Sequence, residues 1–161
     1  MMKSRKMRIL FRTYGGKIKN KQTDPNLELI RNIPSTEPVL KGEWLSPGTH
    51  INAIGANYEY RRELDSAAVS RASVIASDDL EQVKYEATDL AAPVSEGVMG
   101  WDKLTGLGEI VAGKRPGRTD PSDITIFKSL GVALEDVALA AAAYEKALAL
   151  GIGQQLPDLA G

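Results

Sequence analysis

Residues 47–64, PGTHINAIGANYEYRREL, contain the segment that decides the fold. The apolar run at residues 49–54 has isoleucines at positions 51 and 54 and no clean polar alternation, as a buried parallel strand does. The run stops at Gly55, which Ala56 and Asn57 follow. Because ligands of open α/β sheets collect at the carboxyl ends of strands, these three residues are either a binding site or an ordinary turn.

Short apolar runs alternate with helical patterns along the rest of the chain. Strands are predicted at residues 74–77 and 124–128, the second rich in β-branched and aromatic residues. Helices are predicted over residues 62–72, 78–90, 101–112 and 134–150, the second ending before Pro93 and the last before Gly151. Residues 27–33 are too few to decide between a strand and a helical turn. The alternation predicts an α/β fold, with a parallel sheet of three or four strands, flanking helices and a long C-terminal helix.

Length and composition indicate one ordinary globular domain. The 161 residues are 43% hydrophobic and 25% charged with a net charge of −1, a balance that favours neither a nucleic-acid nor a membrane partner. The absence of cysteine excludes disulfides and thiolate chemistry. The most apolar stretch, residues 132–150, carries three acids and a lysine, which is wrong for a membrane-spanning helix. We expect a soluble, cytoplasmic protein.

Positive charge is concentrated at the amino terminus. Residues 1–34 hold nine Lys or Arg against two acids, a net +7 within a total of −1. A solvated or disordered leader is the preferred interpretation, because Gly15, Gly16 and the basic run after them break any helical or strand period. A targeting peptide and a nucleic-acid patch are the alternatives. We therefore predict a basic leader at residues 1–34 and a folded region at residues 35–161.

Two Gly-x-Gly sequences lack the context of a dinucleotide-binding turn. Residues 106–108 lie in a helical pattern and residues 151–153 follow a helix, whereas that turn must follow a strand and carry a third glycine. His50 is the only histidine, and the chain offers no second histidine or cysteine with which it could share a metal. We interpret His50 as a core or hydrogen-bonded residue rather than a catalytic base, and we predict no metal site.

A second candidate site follows the strand predicted at residues 124–128. There Ser129, Leu130 and Gly131 come immediately before the long helix. Small residues after both this strand and the strand at 49–54 would let a flat ring approach the backbone, where helix N-termini and backbone amides converge. Plain turn geometry explains the same residues.

Three blocks of sequence agree in order and spacing with a known family. They are THINAIGAN at residues 49–57, RRELD at 61–65 and GEIVAGKRPGRTDPSDITIFKSLGVALEDVALAAAAYEKAL at 108–148. From about residue 35 to about residue 156 the chain resembles the C-terminal half of the ornithine cyclodeaminase/mu-crystallin family. The resemblance implies a Rossmann-like domain, NAD or NADP as cofactor, a small amino acid or imine as substrate, and a homodimer. Complete relatives convert ornithine to proline with release of ammonia, reduce ketimines or dehydrogenate alanine.

The resemblance also implies roles for individual residues. The cofactor would lie along Ile51, Asn52, Ala53, Ile54 and Ser129, and the substrate would approach Arg61 and Leu130. Asn57 stands where the cyclodeaminases have an aspartate that handles protons. An amide cannot accept a proton near neutral pH, so Asn57 argues against cyclodeamination and leaves imine reduction or binding less affected.

The same resemblance predicts a truncated family member. The turn GxGxxG and the lysine and arginine that hold the substrate carboxylate belong to a part of the family that these 161 residues do not contain, and residues 1–33 do not resemble it. We therefore expect weak dinucleotide binding by the chain alone and leave its enzymatic activity open. The alternative function is a non-enzymatic binding or assembly module, whose long, alanine-rich helix docks on another subunit.

Overall fold

The computed structural model of the chain describes residues 7–9, 21–23, 27–30, 37–56, 60–154 and 156. The chain divides into two compact units, residues 1–130 and residues 131–161. Among the described residues, the first unit contains every strand and four α-helices, and the second unit contains one long helix.

Seven strands form two sheets in the described part of the chain. In one sheet, β1 (Met7–Ile9) and β2 (Lys21–Thr23) pair antiparallel. The other sheet contains β3 (Leu27–Ile30), β4 (His50–Ala53), β5 (Val74–Ser77), β6 (Leu104–Gly106) and β7 (Thr125–Lys128). Its spatial order is β3-β4-β7-β5-β6, and all four neighbouring pairs are parallel. This sheet confirms the predicted α/β fold, although it has five strands where the sequence predicts three or four, and it places β4, β7 and β5 at its middle.

Short helices connect the strands of the parallel sheet. They are α1 (Ser66–Arg71), α2 (Val83–Glu86), α3 (Thr88–Ser95) and α4 (Leu107–Val111), with single 3-10 turns at Gly42–Trp44 and Trp101–Lys103. Asp65 precedes α1, and its carboxylate accepts the backbone N–H of Ala68 at 2.7 Å, as a helix-capping residue does. The helix therefore starts four residues later than the residue pattern predicts.

A row of isoleucines crosses the middle of the sheet. Ile51 of β4 pairs with Ile126 of β7, which also pairs with Ile75 of β5. All three side chains are at most 1% exposed. Full burial of such a side chain contributes about 1.5–3 kcal/mol relative to an exposed position. The row therefore fixes the register of the three middle strands.

The single helix predicted over residues 78–90 is wrong in its extent. It does not begin at Asp78: the Asp79 carboxylate accepts the backbone N–H groups of Glu81 and Gln82, as a helix-capping residue does, and α-helix begins only at Val83. At Ala87, where ψ is 82°, the remaining helical segment divides into α2 and α3. Pro93 does not end the helix, since α3 continues to Ser95 although proline removes one helical hydrogen bond.

The helix predicted over residues 101–112 contains an edge strand. A 3-10 turn leads into β6, and only Leu107–Val111 is α-helical. The three residues of β6 are too few to show a period of two, which is why the pattern favours a helix there. Gly106 ends this strand, so its placement in a helix is wrong, whereas Gly108 does lie in α4. Position 111 is valine, so the third glycine of a dinucleotide-binding turn is missing as predicted.

The second unit is built on α5 (Ala133–Leu150), one residue longer than predicted. Gly151 ends it with φ of 62° and ψ of 30°, the left-handed conformation that glycine adopts without steric penalty. The large apolar side chains of α5 are exposed, and those at least 65% exposed are Leu134, Val137, Leu139, Tyr144 and Leu148. No helix in the described ranges is both long and apolar enough to cross a membrane.

Candidate functional site

The carboxyl ends of the three middle strands lie side by side. β4 ends at Ala53, β5 at Ser77 and β7 at Lys128, and both Ala53 and Ser77 are in register with Lys128. After β7 the chain continues to Ser129, whose N–H donates to the Ala53 carbonyl at 3.1 Å. The structure therefore brings together the two predicted site segments, which follow β4 and β7.

Asp78 fixes the segment after β7. Its Oδ2 accepts hydrogen bonds from the Ser129 hydroxyl at 2.9 Å and from the Leu130 N–H at 2.8 Å. Hydrogen bonds to a carboxylate are stronger than those between neutral groups, so this contact holds both residues firmly. Ser129 donates its only hydroxyl proton to Asp78, and its oxygen can therefore serve a ligand only as an acceptor.

Glu63 fixes the segment after β4. Its Oε2 accepts the backbone N–H groups of Gly55 at 2.9 Å and of Ala56 at 3.1 Å. Asp89 in turn holds the backbone around Glu63, because its Oδ1 accepts the N–H groups of Glu63 at 2.6 Å and of Leu64 at 2.9 Å. The side chains of Glu63 and Asp89 are fully buried. The turn after β4 is thus held in place from within the protein.

Lys128 completes this arrangement. Its Nζ lies 3.4 Å from Oε2 of Glu63 and 3.1 Å from Oδ2 of Asp89, and its side chain has no exposed surface. We call Glu63, Asp89 and Lys128 the buried charge cluster. It contains two carboxylates and one ammonium group, at the point where β7 meets the turn after β4.

Burial raises the pKa of the Glu63 carboxyl above its ordinary value, because the charged form loses its hydration. The ammonium of Lys128 and the N–H of Gly55 act in the opposite direction, and the nearby Asp89 adds to the increase. The second oxygen of Glu63, Oε1, is buried and has no hydrogen-bond partner among the described residues. The three contacts of Oε2 are therefore the polar contacts that hold this carboxylate.

The residues predicted to lie along the cofactor differ in what they expose. Ile51 and Ala53 are fully buried and their side chains belong to the core. Asn52 and Ser129 are half-buried, and Ile54 is 37% exposed. Of these five residues, the ones with accessible surface are thus Asn52, Ile54 and Ser129.

The residues predicted to approach the substrate are less closely grouped. Leu130 is 4% exposed and its side chain packs in the core, so it offers a ligand its backbone rather than its side chain. Arg61 is exposed, in the segment between β4 and α1. Asn57 lies outside the described residues. These three roles stay predictions.

His50 lies at the opposite, amino-terminal edge of the sheet. It is the first residue of β4, and its Nδ1 is 2.7 Å from the Thr125 hydroxyl of β7. Arg118 donates to the same hydroxyl at 3.0 Å. Burial lowers the pKa of His50 and the charge of Arg118 lowers it further, whereas a hydrogen bond that the imidazole donates to the side chain of Asn52 raises it. The imidazole is therefore joined to the amino ends of two strands and is not brought to the candidate site.

A profile of the ornithine cyclodeaminase/mu-crystallin family matches residues 29–151. The chain belongs to this family. The family resemblance inferred from three blocks of sequence is thus confirmed. The match begins within β3, six residues before the predicted boundary at residue 35.

Relatives of the chain within the family include dehydrogenases and reductases. Alanine dehydrogenase of Archaeoglobus fulgidus is 42% identical over 129 residues, which are 80% of this chain and 39% of that protein. The structure of Thermococcus litoralis Δ1-pyrroline-2-carboxylate reductase in complex with NADH and L-proline has a TM-score of 0.71 and 40% identity, over 81% of this chain and 40% of that one. An archaeal alanine dehydrogenase dimer with bound NAD has a TM-score of 0.69 and 41% identity, over 81% and 40% of the two chains. The chain spans about two-fifths of the length of these relatives.

These matches establish the family's chemistry in general terms. Its members bind NAD or NADH in a Rossmann-like fold and act on an amino acid or an imine. The expected cofactor class is thereby confirmed for the family.

Sequence reasoning missed four charged residues of the candidate site, namely Glu63, Asp78, Asp89 and Lys128. Asp78 and Asp89 fall in a segment whose pattern favours a solvated helix face. Lys128 ends an otherwise apolar strand, ITIFK, and that position is the one signal that could have pointed to a buried ammonium group. Its partner Glu63 lies 65 residues away, which no local pattern reveals.

Proposed function

We propose that the carboxyl edge of β4 and β7 faces the nicotinamide ring of NAD or NADP, in a protein that oxidises an amino acid at its α-carbon or reduces a cyclic imine. The observation that carries this proposal is the hydrogen bond between Ser129 and Ala53, which joins the two strand ends. Gly55 and Ala56 follow the first of these ends, and such small residues allow a flat ring to approach the backbone. Relatives solved with NADH or NAD support the same ligand.

The polar groups of this edge fit the nicotinamide carboxamide. That group carries one N–H₂ donor and one carbonyl acceptor. The Ser129 hydroxyl already donates its hydrogen bond to Asp78, so towards a ligand its oxygen can only accept one. It therefore suits the N–H₂ group of the carboxamide. Asn52 lies on the other strand, β4, and is half-buried; its side-chain amide already hydrogen-bonds to His50, so its contact with the cofactor stays a prediction. The edge would thus orient the ring by hydrogen bonds as well as by shape.

The bound dinucleotide supplies the hydride acceptor or donor of the reaction. In the oxidative direction an amino acid gives up a hydride from its α-carbon and a proton from its nitrogen, which leaves an imine. In the reductive direction a cyclic imine gains the same hydride and proton. The residues of this chain hold the ring at a fixed angle to the substrate, and such positioning is a major source of catalytic acceleration.

The substrate side of the proposal rests on Arg61, Leu130 and Asn57. Arg61 is exposed and carries the positive charge that suits a substrate carboxylate. Leu130 would contribute through the turn that Asp78 fixes, since its side chain is in the core. Asn57 provides no proton acceptor, which favours simple oxidation or reduction over cyclodeamination. Asn57→Asp should increase proline formation from ornithine relative to imine reduction, and an unchanged ratio would contradict this role.

A titration with dinucleotides tests cofactor binding. The fluorescence of Trp44 and Trp101 is followed while NADH, NADPH or ADP-ribose is added to the 161-residue chain. Because the sequence contains no GxGxxG turn, we expect dissociation constants in the millimolar range for NADH and NADPH. ADP-ribose, which lacks the nicotinamide ring, should bind more weakly still. Equal binding of ADP-ribose and NADH would contradict the proposal, and micromolar binding of NADH would contradict the expected weakness.

A second candidate function is assembly with another subunit in a homodimer, in the cytoplasm. The observation that favours it is the exposure of the apolar side chains of α5. Exposed apolar surface of this kind marks interaction sites. Size-exclusion chromatography with light scattering would then report a dimer, and Leu139→Glu on α5 should reduce the dimer fraction. A well-folded monomer at all concentrations would remove this candidate.

A further inference from the structure

We propose that the buried charge cluster positions the turn after β4 for the nicotinamide ring, with Glu63 as the positioning residue. Glu63 touches no ligand in this account and acts through the backbone of Gly55 and Ala56. The inference rests on the proposed function, because it assigns the cluster to the same edge of the sheet. Neither the sequence pattern nor the family match assigns this positioning role to Glu63.

The contacts of one oxygen atom carry the inference. Oε2 of Glu63 accepts the N–H groups of Gly55 and Ala56 and lies 3.4 Å from Nζ of Lys128. Lys128 is the last residue of β7 and immediately precedes Ser129. A single atom therefore ties the turn after β4 to the end of β7. Any shift of Glu63 would move Gly55 and Ala56 relative to Ser129.

Asp89 sets the position of Glu63 itself. Its Oδ1 holds the backbone N–H groups of Glu63 and Leu64, and its Oδ2 lies 3.1 Å from Nζ of Lys128. α3 thereby restrains both the backbone and the charge partner of Glu63. The turn after β4 is positioned from the sheet and from a helix at the same time.

Stability alone does not account for such a cluster. Removing three charged groups from water is costly, and replacing a buried ion pair by apolar residues of similar volume is often neutral or stabilising. Hydrogen bonds to charged groups, in contrast, are short and directional, so they define the position of a backbone more narrowly than apolar packing does. The location of the cluster beside Gly55, Ala56 and Ser129 is the reason to assign it to the site.

Glu63→Gln tests the inference with little change in shape. Glutamine keeps an acceptor for the two N–H groups but loses the charge that strengthens those bonds and attracts Lys128. The matched control is Asp65→Asn, because Asp65 also accepts two backbone N–H groups, from Gly42 at 2.9 Å and Ala68 at 2.7 Å, outside the candidate site. Urea unfolding of each variant gives its fraction of folded protein, and the binding signal is divided by that fraction.

The readout is the binding of NADH to the folded 161-residue chain, followed by ¹H–¹⁵N spectra. We expect the initial slope of the NADH-induced shifts to fall about tenfold in Glu63→Gln, and to stay within about twofold of wild type in Asp65→Asn. A merely structural role would lower the urea midpoint of Glu63→Gln and leave the corrected slope unchanged.

The possible outcomes separate this inference from the proposed function. Wild-type binding with an unchanged Glu63→Gln slope would overturn the positioning role and leave the proposed function in place. No NADH-induced shifts in the wild type would overturn the proposed function, and the positioning role with it. Should Glu63→Gln fail to fold, Asp89→Asn, which keeps the charge of Glu63, must reduce the slope by a smaller factor; an unchanged slope there also overturns the inference.

Discussion

Replacing Lys128 by methionine removes the only positive charge of the buried charge cluster. The side chain of Lys128 is fully buried, with Nζ 3.1 Å from Asp89 and 3.4 Å from Glu63. Removing one partner of a buried ion pair costs about 3–5 kcal/mol, because the remaining charge has neither water nor a partner. A protein of this kind has a total stability of about 5–15 kcal/mol. We therefore expect Lys128→Met to lose a large part of the free energy of unfolding.

Urea unfolding at several pH values measures this loss. The control is Lys84→Met: its Nζ lies 2.8 Å from Glu81, closer than either contact of Lys128, but both side chains are solvent-accessible. Exposed pairs contribute about 0–1 kcal/mol, so the control should change the midpoint little. The contrast between the two variants tests whether burial, rather than distance, decides the strength of the ion pair.

The destabilisation by Lys128→Met should grow with pH. The pKa of Glu63 is already raised by burial, and the variant removes the lysine that lowers it, so the pKa rises further. A carboxyl whose folded pKa exceeds its unfolded value binds more protons in the folded state between those two values. Its contribution to stability is fully present below the unfolded pKa and is lost as the pH rises through the folded pKa. A loss below about 1 kcal/mol, or a loss that does not vary with pH, would refute the reasoning.

Three further predictions concern the first unit. Tyr60 has φ of 68°, a left-handed conformation that costs about 1–2 kcal/mol for a residue with a side chain. Tyr60→Gly should therefore raise the free energy of unfolding by about 0.5–1 kcal/mol in thermal or urea melts. Gly113→Ala, at a glycine with φ of 70°, should lower the free energy of unfolding in the same melts. Gly42→Ala would place its Cβ 2.4 Å from backbone atoms of Ala67 and Ala68 and should cost about 1–3 kcal/mol in the same melts; a neutral result would contradict the close packing. Burial lowers the pKa of His50, so its contribution to the free energy of unfolding is present above the unfolded pKa of 6.5 and is lost as the pH falls through the folded pKa. His50→Asn should therefore lose less stability than the wild type on acidification. Parallel curves of stability against pH for the two proteins would disprove this.

The middle of the sheet could be predicted from the sequence because its strands are apolar and long enough to recognise. The strand VIAS matches β5 residue for residue, β4 is one residue shorter than predicted at each end, and β7 is one residue shorter at its start. β6 escapes prediction because three residues at a sheet edge show no period. The start of α2 cannot be placed because the side-chain hydrogen bonds of Asp79 leave no trace in the apolar pattern.

The candidate site could be predicted only in part. Parallel strands bring their carboxyl ends to one edge, which is enough to expect Gly55 and Ser129 to be neighbours. The buried charge cluster could not be predicted, since charged residues are normally placed at the surface and Glu63 and Lys128 are 65 residues apart. The same rule assigned no site role to Asp78, whose carboxylate holds Ser129 and Leu130.

The most direct test of the central claim is a ¹H–¹⁵N spectrum of the chain titrated with NADH and, in parallel, with ADP-ribose. If the carboxyl edge of β4 and β7 faces the nicotinamide, NADH shifts the amide signals of Gly55, Ala56, Ser129 and Leu130, and ADP-ribose at the same concentration leaves them in place. Shifts confined to other surfaces, or equal shifts with both ligands, would contradict the account.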